Sequence, residues 1–170
     1  YNTAVGAEAA RNNTTGNKYS AFGYRALLCN TTGIHNTAIG VESLKLNTTG
    51  INNVAVGTCA LCSNVSGTYN TAIGNDSLKA NVADFNTAVG YQSLCANTTG
   101  EYNTGVGYHA LRGNTTGQSN TAVGYQAAQV LSIGRFNTAV GMQSLRLTTT
   151  GEYNTAIGYH SLYGNTVGIA

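Results

Sequence analysis

Small, apolar and polar positions along this chain fall into one register that returns every seventeen residues. The unit reads NTAVGYQSLCANTTGEY between Asn86 and Tyr102. Its first five residues alternate, with Thr and Val on one face and Ala and Gly on the other, which predicts a short strand. The two reliably large apolar positions, Val or Ile at position four and Leu at position nine, are expected to form the dry interior. The Ala/Gly face is then the outer one, small enough for another backbone to approach closely. Asn-Thr-Thr-Gly at positions twelve to fifteen is turn chemistry, because Asn bonds its own backbone and Gly supplies positive φ. Positions six to eleven carry Tyr, polar residues and Leu at a period near three. A full α-helix, about 10 Å wide, cannot stack at the ~4.8 Å spacing of strands, so a tight turn or a bent second strand is expected there.

Units begin at Asn2, Tyr19, Asn36, Asn53, Asn70, Asn86, Asn103, Asn120, Asn137 and Asn154, and only the Asn70 unit is short, at sixteen residues. Residues 1–170 are therefore one repetitive segment. A seventeen-residue unit with two turn signals makes one coil of a solenoid. The expected fold is all-β: a β-solenoid (parallel β-helix or β-roll) of ten coils, oligomeric and fibrous, a trimer first among the oligomers. Stacking places like on like, so Asn columns should form amide ladders. Two large apolar residues bury too little to order seventeen by themselves, so ladder hydrogen bonds and a second chain against the Ala/Gly face should contribute. The chain ends mid-pattern at Gly168-Ile169-Ala170 without the atypical unit of a solenoid cap, as expected of a piece of a longer fibre or of a protomer capped by its neighbours.

Charge changes the picture little. Charged residues make up 8% of the chain and the net charge is +2, which gives no reason to expect nucleic acid or an anionic membrane. No apolar run approaches the ~20 residues of a helical membrane span. Basic residues at position ten occur in alternate coils (Arg11, Lys45, Lys79, Arg112, Arg146), which keeps like charges from facing one another on adjacent coils. Glu8, Glu42 and Asp76 stand three residues before the first three of these, a spacing that suits a helical turn.

Catalytic chemistry finds no constellation. The six carboxylates are scattered, His35, His109 and His160 lie far apart, and no column gathers Ser, His and Asp. The Asn/Thr/Gly turns lack the Asp that calcium-binding solenoids need. No metal and no cofactor is expected. Cys59-x-x-Cys62 is half a zinc or redox motif without its second half. Cys62 and Cys95 lie two coils apart, ~9–10 Å, beyond the ~7 Å reach of a disulfide. All four cysteines, Cys29 included, read as small apolar fillers.

Modification and recognition remain. Sequons occur at Asn12, Asn13, Asn30, Asn47, Asn64, Asn97 and Asn114. All but Asn12 share position twelve, so Asn13, Asn30, Asn47, Asn64, Asn97 and Asn114 are the candidate row of N-glycosylation sites, with covalent glycans the one non-protein group expected. Coils eight and nine should be bare because Leu131 and Thr148 replace Asn, and the last coil because Val167 spoils the sequon of Asn165. The same stretch read as a turn needs no sugar. Tyr69, Tyr102 and Tyr153 at position seventeen are the candidate surface-binding residues, with Tyr91, Tyr108, Tyr125 and Tyr159 at position six, although rings stacked on neighbouring coils or chains explain them more readily. Thr columns also raise ice binding, but the strand reads Thr-x-Val where that needs Thr-x-Thr.

Asn-Thr-Ala-Val-Gly and Asn-Thr-Ala-Ile-Gly (residues 2–6, 36–40, 70–74, 86–90 and 154–158) resemble the head repeats of YadA-like trimeric autotransporter adhesins. The full unit, as in residues 86–102, is similar to repeats of phage and bacterial tail-fibre-like proteins. The resemblance spans all ten units and implies a trimeric left-handed parallel β-roll in an extracellular, cell-surface or virion fibre. The expected function is a non-enzymatic structural segment, shaft or head, whose partner is itself as a homo-oligomer or end-to-end fibre. The alternative is an adhesin module that recognises glycan or a host surface, with no nucleic acid and no membrane insertion.

Overall fold

The computed structural model describes residues 1–166; the uncapped end expected at Gly168-Ile169-Ala170, and Val167, lie outside them. Each unit contributes one three-residue strand from its positions two to four: β1 (Thr3–Val5), β2 (Ser20–Phe22), β3 (Thr37–Ile39), β4 (Val54–Val56), β5 (Thr71–Ile73), β6 (Thr87–Val89), β7 (Thr104–Val106), β8 (Thr121–Val123), β9 (Thr138–Val140) and β10 (Thr155–Ile157). They form one parallel sheet in sequence order. The register is strict: Ala38 pairs with Ala55, and Ile39 with Val56. The sixteen-residue coil keeps it, with Ala72 opposite Ala88. The fold is a parallel β-solenoid, with no helix among the described residues.

The strand faces the opposite way to the expectation. Ala at position three is fully buried in Ala21, Ala38, Ala55, Ala72 and Ala88, while Val5, Phe22, Ile39 and Ile73 at position four are exposed. The interior explains the inversion. Position three faces positions eight and nine, since a Cβ added to Gly105 would lie 3.4 Å from Leu94 Cγ and 2.6 Å from Ser93 Oγ. Leu27, Leu44, Leu61, Leu78, Leu94 and Leu111 fill the coil from that wall and are fully buried. A second large residue opposite each would overfill the slot, and a core packed at crystal density accepts only a small one. The close approach expected of another chain at the Ala/Gly face is thus made by the protein's own interior.

Positions six to eleven are neither helix nor second strand. Position seven (Glu42, φ 57°) and position nine (Leu44, φ 48°) are left-handed in coil after coil, with non-glycine residues at both. The chain zigzags, and its N–H groups take turns. Ser43 N donates back to Gly40 O, Leu44 N forward to Ala60 O in the next coil, and Glu42 N to Tyr24 O in the previous one. Left-handed geometry costs an L-residue roughly 1–2 kcal/mol, and the bonds to both neighbouring coils hold it. Gly at position five has φ near +130° (Gly57), and a Cβ on Gly40 would sit 2.6 Å from Gly57 O, so no other residue fits that column.

Candidate functional site

Two amide columns complete the interior. At position twelve, Asn47 Nδ2 donates to Asn30 Oδ1 (3.0 Å) and to Gly50 O (3.1 Å); Asn64 and Asn47 repeat the contact at 3.0 Å, and Asn114 and Asn97 at 2.7 Å. At position one, Asn53 N donates to Asn36 Oδ1 (3.0 Å) and Asn53 Nδ2 to Gly67 O (2.8 Å). These ladders satisfy backbone and side chain together, which lets polar residues occupy a core.

The glycosylation row is therefore corrected. Asn30, Asn47, Asn64, Asn97 and Asn114 are fully buried, and Asn13, in the first coil, is half-buried with its Oδ1 accepting from Asn30. A glycan has no path from a packed ladder to solvent. Leu131 and Thr148, which replace Asn at this position in coils eight and nine, are buried in the same column. Two acceptors are orphaned, Asn64 Oδ1 and Asn114 Oδ1. Beyond Asn64 the short coil turns Asn81 Nδ2 towards Ala83 O, and beyond Asn114 stands Leu131. Two sequons face solvent instead: Asn12, and Asn75 of Asn75-Asp76-Ser77, which the repeat hides because it falls at position six rather than twelve.

The outer surface carries columns of its own. Positions seven and ten pair as ions within three coils: Arg11–Glu8 at 3.2 Å, Lys45–Glu42 at 2.9 Å and Lys79–Asp76 at 3.1 Å. In coil four the pair is covalent, a Cys59–Cys62 disulfide with Cα atoms 4.8 Å apart, so these two cysteines are not simple fillers. Cys29 and Cys95 are free thiols. Arg25 Nε donates to Glu8 Oε2 at 2.7 Å and holds the Glu8 carboxyl below its ordinary range. Burial, and then Arg112, push His109 below the ordinary imidazole value, and burial raises the Cys95 thiol.

Rings stack one per coil. At position seventeen, Tyr69, Phe85 and Tyr102 stack at 5.2 and 5.1 Å, and Phe136 stacks on Tyr153 at 5.0 Å. At position six, Tyr91, Tyr108 and Tyr125 stack at 5.5 and 5.2 Å. Tyr69, Tyr102 and Tyr153 are about half exposed, so the proposed surface-binding residues do lie outside, but ring faces within each stack are covered and mainly edges meet solvent. Tyr159 stacks on His160 at 4.0 Å. The Thr hydroxyls of position thirteen are spent on the next coil, Thr31 on Thr48 O and Thr98 on Thr115 O (both 3.0 Å), which leaves ice binding without support from that column.

Among the described residues, no three His, Cys, Asp or Glu side chains stand where they could share a metal ion, and no helix is long and apolar enough to cross a membrane. An open hollow of about 330 Å³ lies over Cys95, Ala96, Arg112, Gly113, Gln129 and Val130. Fold and columns together define a parallel β-solenoid whose outer surface is as periodic as its core. No family model matches the chain, and neither does any curated protein or solved structure.

Proposed function

We propose that the chain is a structural repeat segment of an extracellular fibre, a shaft or head in which copies associate side by side. The observation that carries this is the outward column of position four. Val5, Phe22, Ile39, Ile73, Val123 and Ile157 are exposed, flanked by the exposed Tyr91, Tyr108 and Tyr125 of position six. Ten coils at ~4.8 Å give a face about 48 Å long, and four residue steps make it about 13 Å wide, roughly 600 Å² in flat outline. Monomers rarely expose contiguous apolar surface beyond a few hundred Å², and a standard interface takes ~800 Å² from each partner. The trimer expected from the resemblance is the first arrangement to test. The Cys59–Cys62 disulfide supports an oxidising, extracellular setting. The role is mechanical and involves no catalysis.

Sedimentation velocity tests the reading. The chain should sediment as an oligomer, and Ile73→Lys with Val89→Lys and Val106→Lys should shift it to monomer with an unchanged circular dichroism spectrum. A wild-type monomer at high micromolar concentration would contradict it.

A second reading, an adhesin module recognising glycan, draws on the exposed aromatic columns, and in particular on the break in the column at position seventeen.

A further inference from the structure

Between Tyr69 and Tyr153 the position-seventeen column of Phe and Tyr rings is interrupted once; nearer the N-terminus it holds Lys18, His35 and Asn52. Phe85 covers one face of Tyr102 from the preceding coil, and Tyr153 covers one face of Phe136 from the following coil. Between Tyr102 and Phe136 the column holds Ser119, in the same left-handed backbone (φ 55°, against 59° and 56° for its neighbours). The free faces of Tyr102 and Phe136 therefore look at each other across one coil that lacks a ring. Consecutive rings stand 5.0–5.2 Å apart, so this gap is two such steps, about 10 Å between centroids. Thr121, the first strand residue after Ser119, is exposed and open to solvent. The comparable interval at position six, between Tyr125 and Tyr159, is filled by Met142.

We infer that the Tyr102–Ser119–Phe136 gap is a binding slot for one sugar ring of the pyranose class, held between the two aromatic faces. A ring midway would sit about 5 Å from each wall, the spacing that the column's own rings adopt. An aromatic face is electronegative and attracts the polarised C–H groups on the flat side of a pyranose. Ser119 and Thr121 bring hydroxyls to this stretch, and Gln118 and Arg135 immediately precede Ser119 and Phe136 in the chain, so the segments that bound the gap also carry amide and guanidinium groups. That combination, apolar above and below and polar at the edge, matches a sugar better than a bare aromatic ring, which would leave the edge groups unused. The inference gives the adhesin reading its site and rests on that reading alone, so side-by-side assembly stands or falls separately.

The test is saturation-transfer NMR on the full chain with the methyl pyranosides of glucose, galactose, mannose and N-acetylglucosamine. At least one should bind saturably in the millimolar range. Ser119→Tyr, which supplies the missing ring on a backbone that Tyr69 and Tyr102 already adopt, should abolish binding and leave the sedimentation coefficient unchanged. Tyr102→Ala should weaken binding at least tenfold in a chain whose circular dichroism is unaltered. Asn52→Tyr, at the same position elsewhere in the column, should change nothing. Undiminished binding in Ser119→Tyr, tighter binding of phenol than of any pyranoside, or no saturable binding to the wild type would each overturn the inference.

Discussion

Asn47 donates its side-chain amide to the side-chain carbonyl of Asn30, 3.0 Å away and one coil earlier, and receives the same bond from Asn64. Asn47 is thus both donor and acceptor, and removing it strands a group on each of its two neighbours. A buried polar group left unpaired costs ~1–3 kcal/mol. Asn47→Ala should therefore lower stability by about 2–5 kcal/mol in urea denaturation, whereas Asn12→Ala, at an exposed position, should fall within about 0.5 kcal/mol of wild type. Equal effects of the two substitutions would show that the column is not a ladder.

The same burial fixes where sugar can be added. Produced in a glycosylating cell, the folded chain should carry N-glycan at no more than Asn12 and Asn75, and none at Asn30, Asn47, Asn64, Asn97 or Asn114. Peptide mapping after enzymatic deglycosylation reads this directly, since each released site converts Asn to Asp and adds about one mass unit. Occupancy at Asn47 would mean that the position-twelve column faces outward.

Gly40 and Gly113 separate backbone demand from space. Gly40 has φ 131°, and its Cβ would strike the next coil's carbonyl. Gly113 needs no positive φ, and a Cβ there would meet Gln129 O at 3.0 Å. Gly40→Ala should be the more destabilising by several kcal/mol, because strain and collision add. Thermal unfolding of the two variants measures the difference, and a smaller loss for Gly40→Ala would contradict the stacked column.

Protonation and redox state give two further checks. His109 titrates below its ordinary value because burial and Arg112 disfavour the cation. Its folded pKa is depressed, so the unfolded chain takes up the proton first, and this group's contribution should fall as pH drops from about 6.5 towards the folded pKa. NMR titration of the His109 ring, with His109→Gln as the comparison for stability, tests both sign and site. Alkylation of the native chain should label Cys29 and Cys95, and reduction should release Cys59 and Cys62. Cys95, its thiol raised by burial and then by Asp76, should reach full reactivity only at a higher pH than an ordinary thiol.

Periodicity made the coil and its strand legible. Every strand begins at position two of its unit, and the Glu42–Lys45 and Asp76–Lys79 spacings became ion pairs. Which strand face turned inward was not legible, because Thr-Ala-Val-Gly alternates identically either way. The answer depended on Leu94 already filling the slot opposite Gly105. Asn47 read as turn chemistry or sequon because polarity usually marks surface. Only stacking at one coil per unit supplies the partners that make it a core residue. The left-handed positions seven and nine carry Glu42 and Leu44, residues with no local preference for that geometry, and bonds to neighbouring coils impose it. The Cys59–Cys62 disulfide was not legible because a Cys-x-x-Cys spacing fits half a metal site as well as a bond within one coil.

The most direct test of the account is a cryo-EM reconstruction of the native assembly. The account predicts a coil repeat of about 4.8 Å along the long axis, more than one chain per cross-section, and the Val89, Val106 and Val123 column at the chain–chain contact. A single chain per cross-section with that column facing solvent, or an axial repeat clearly different from 4.7–4.9 Å, would contradict it.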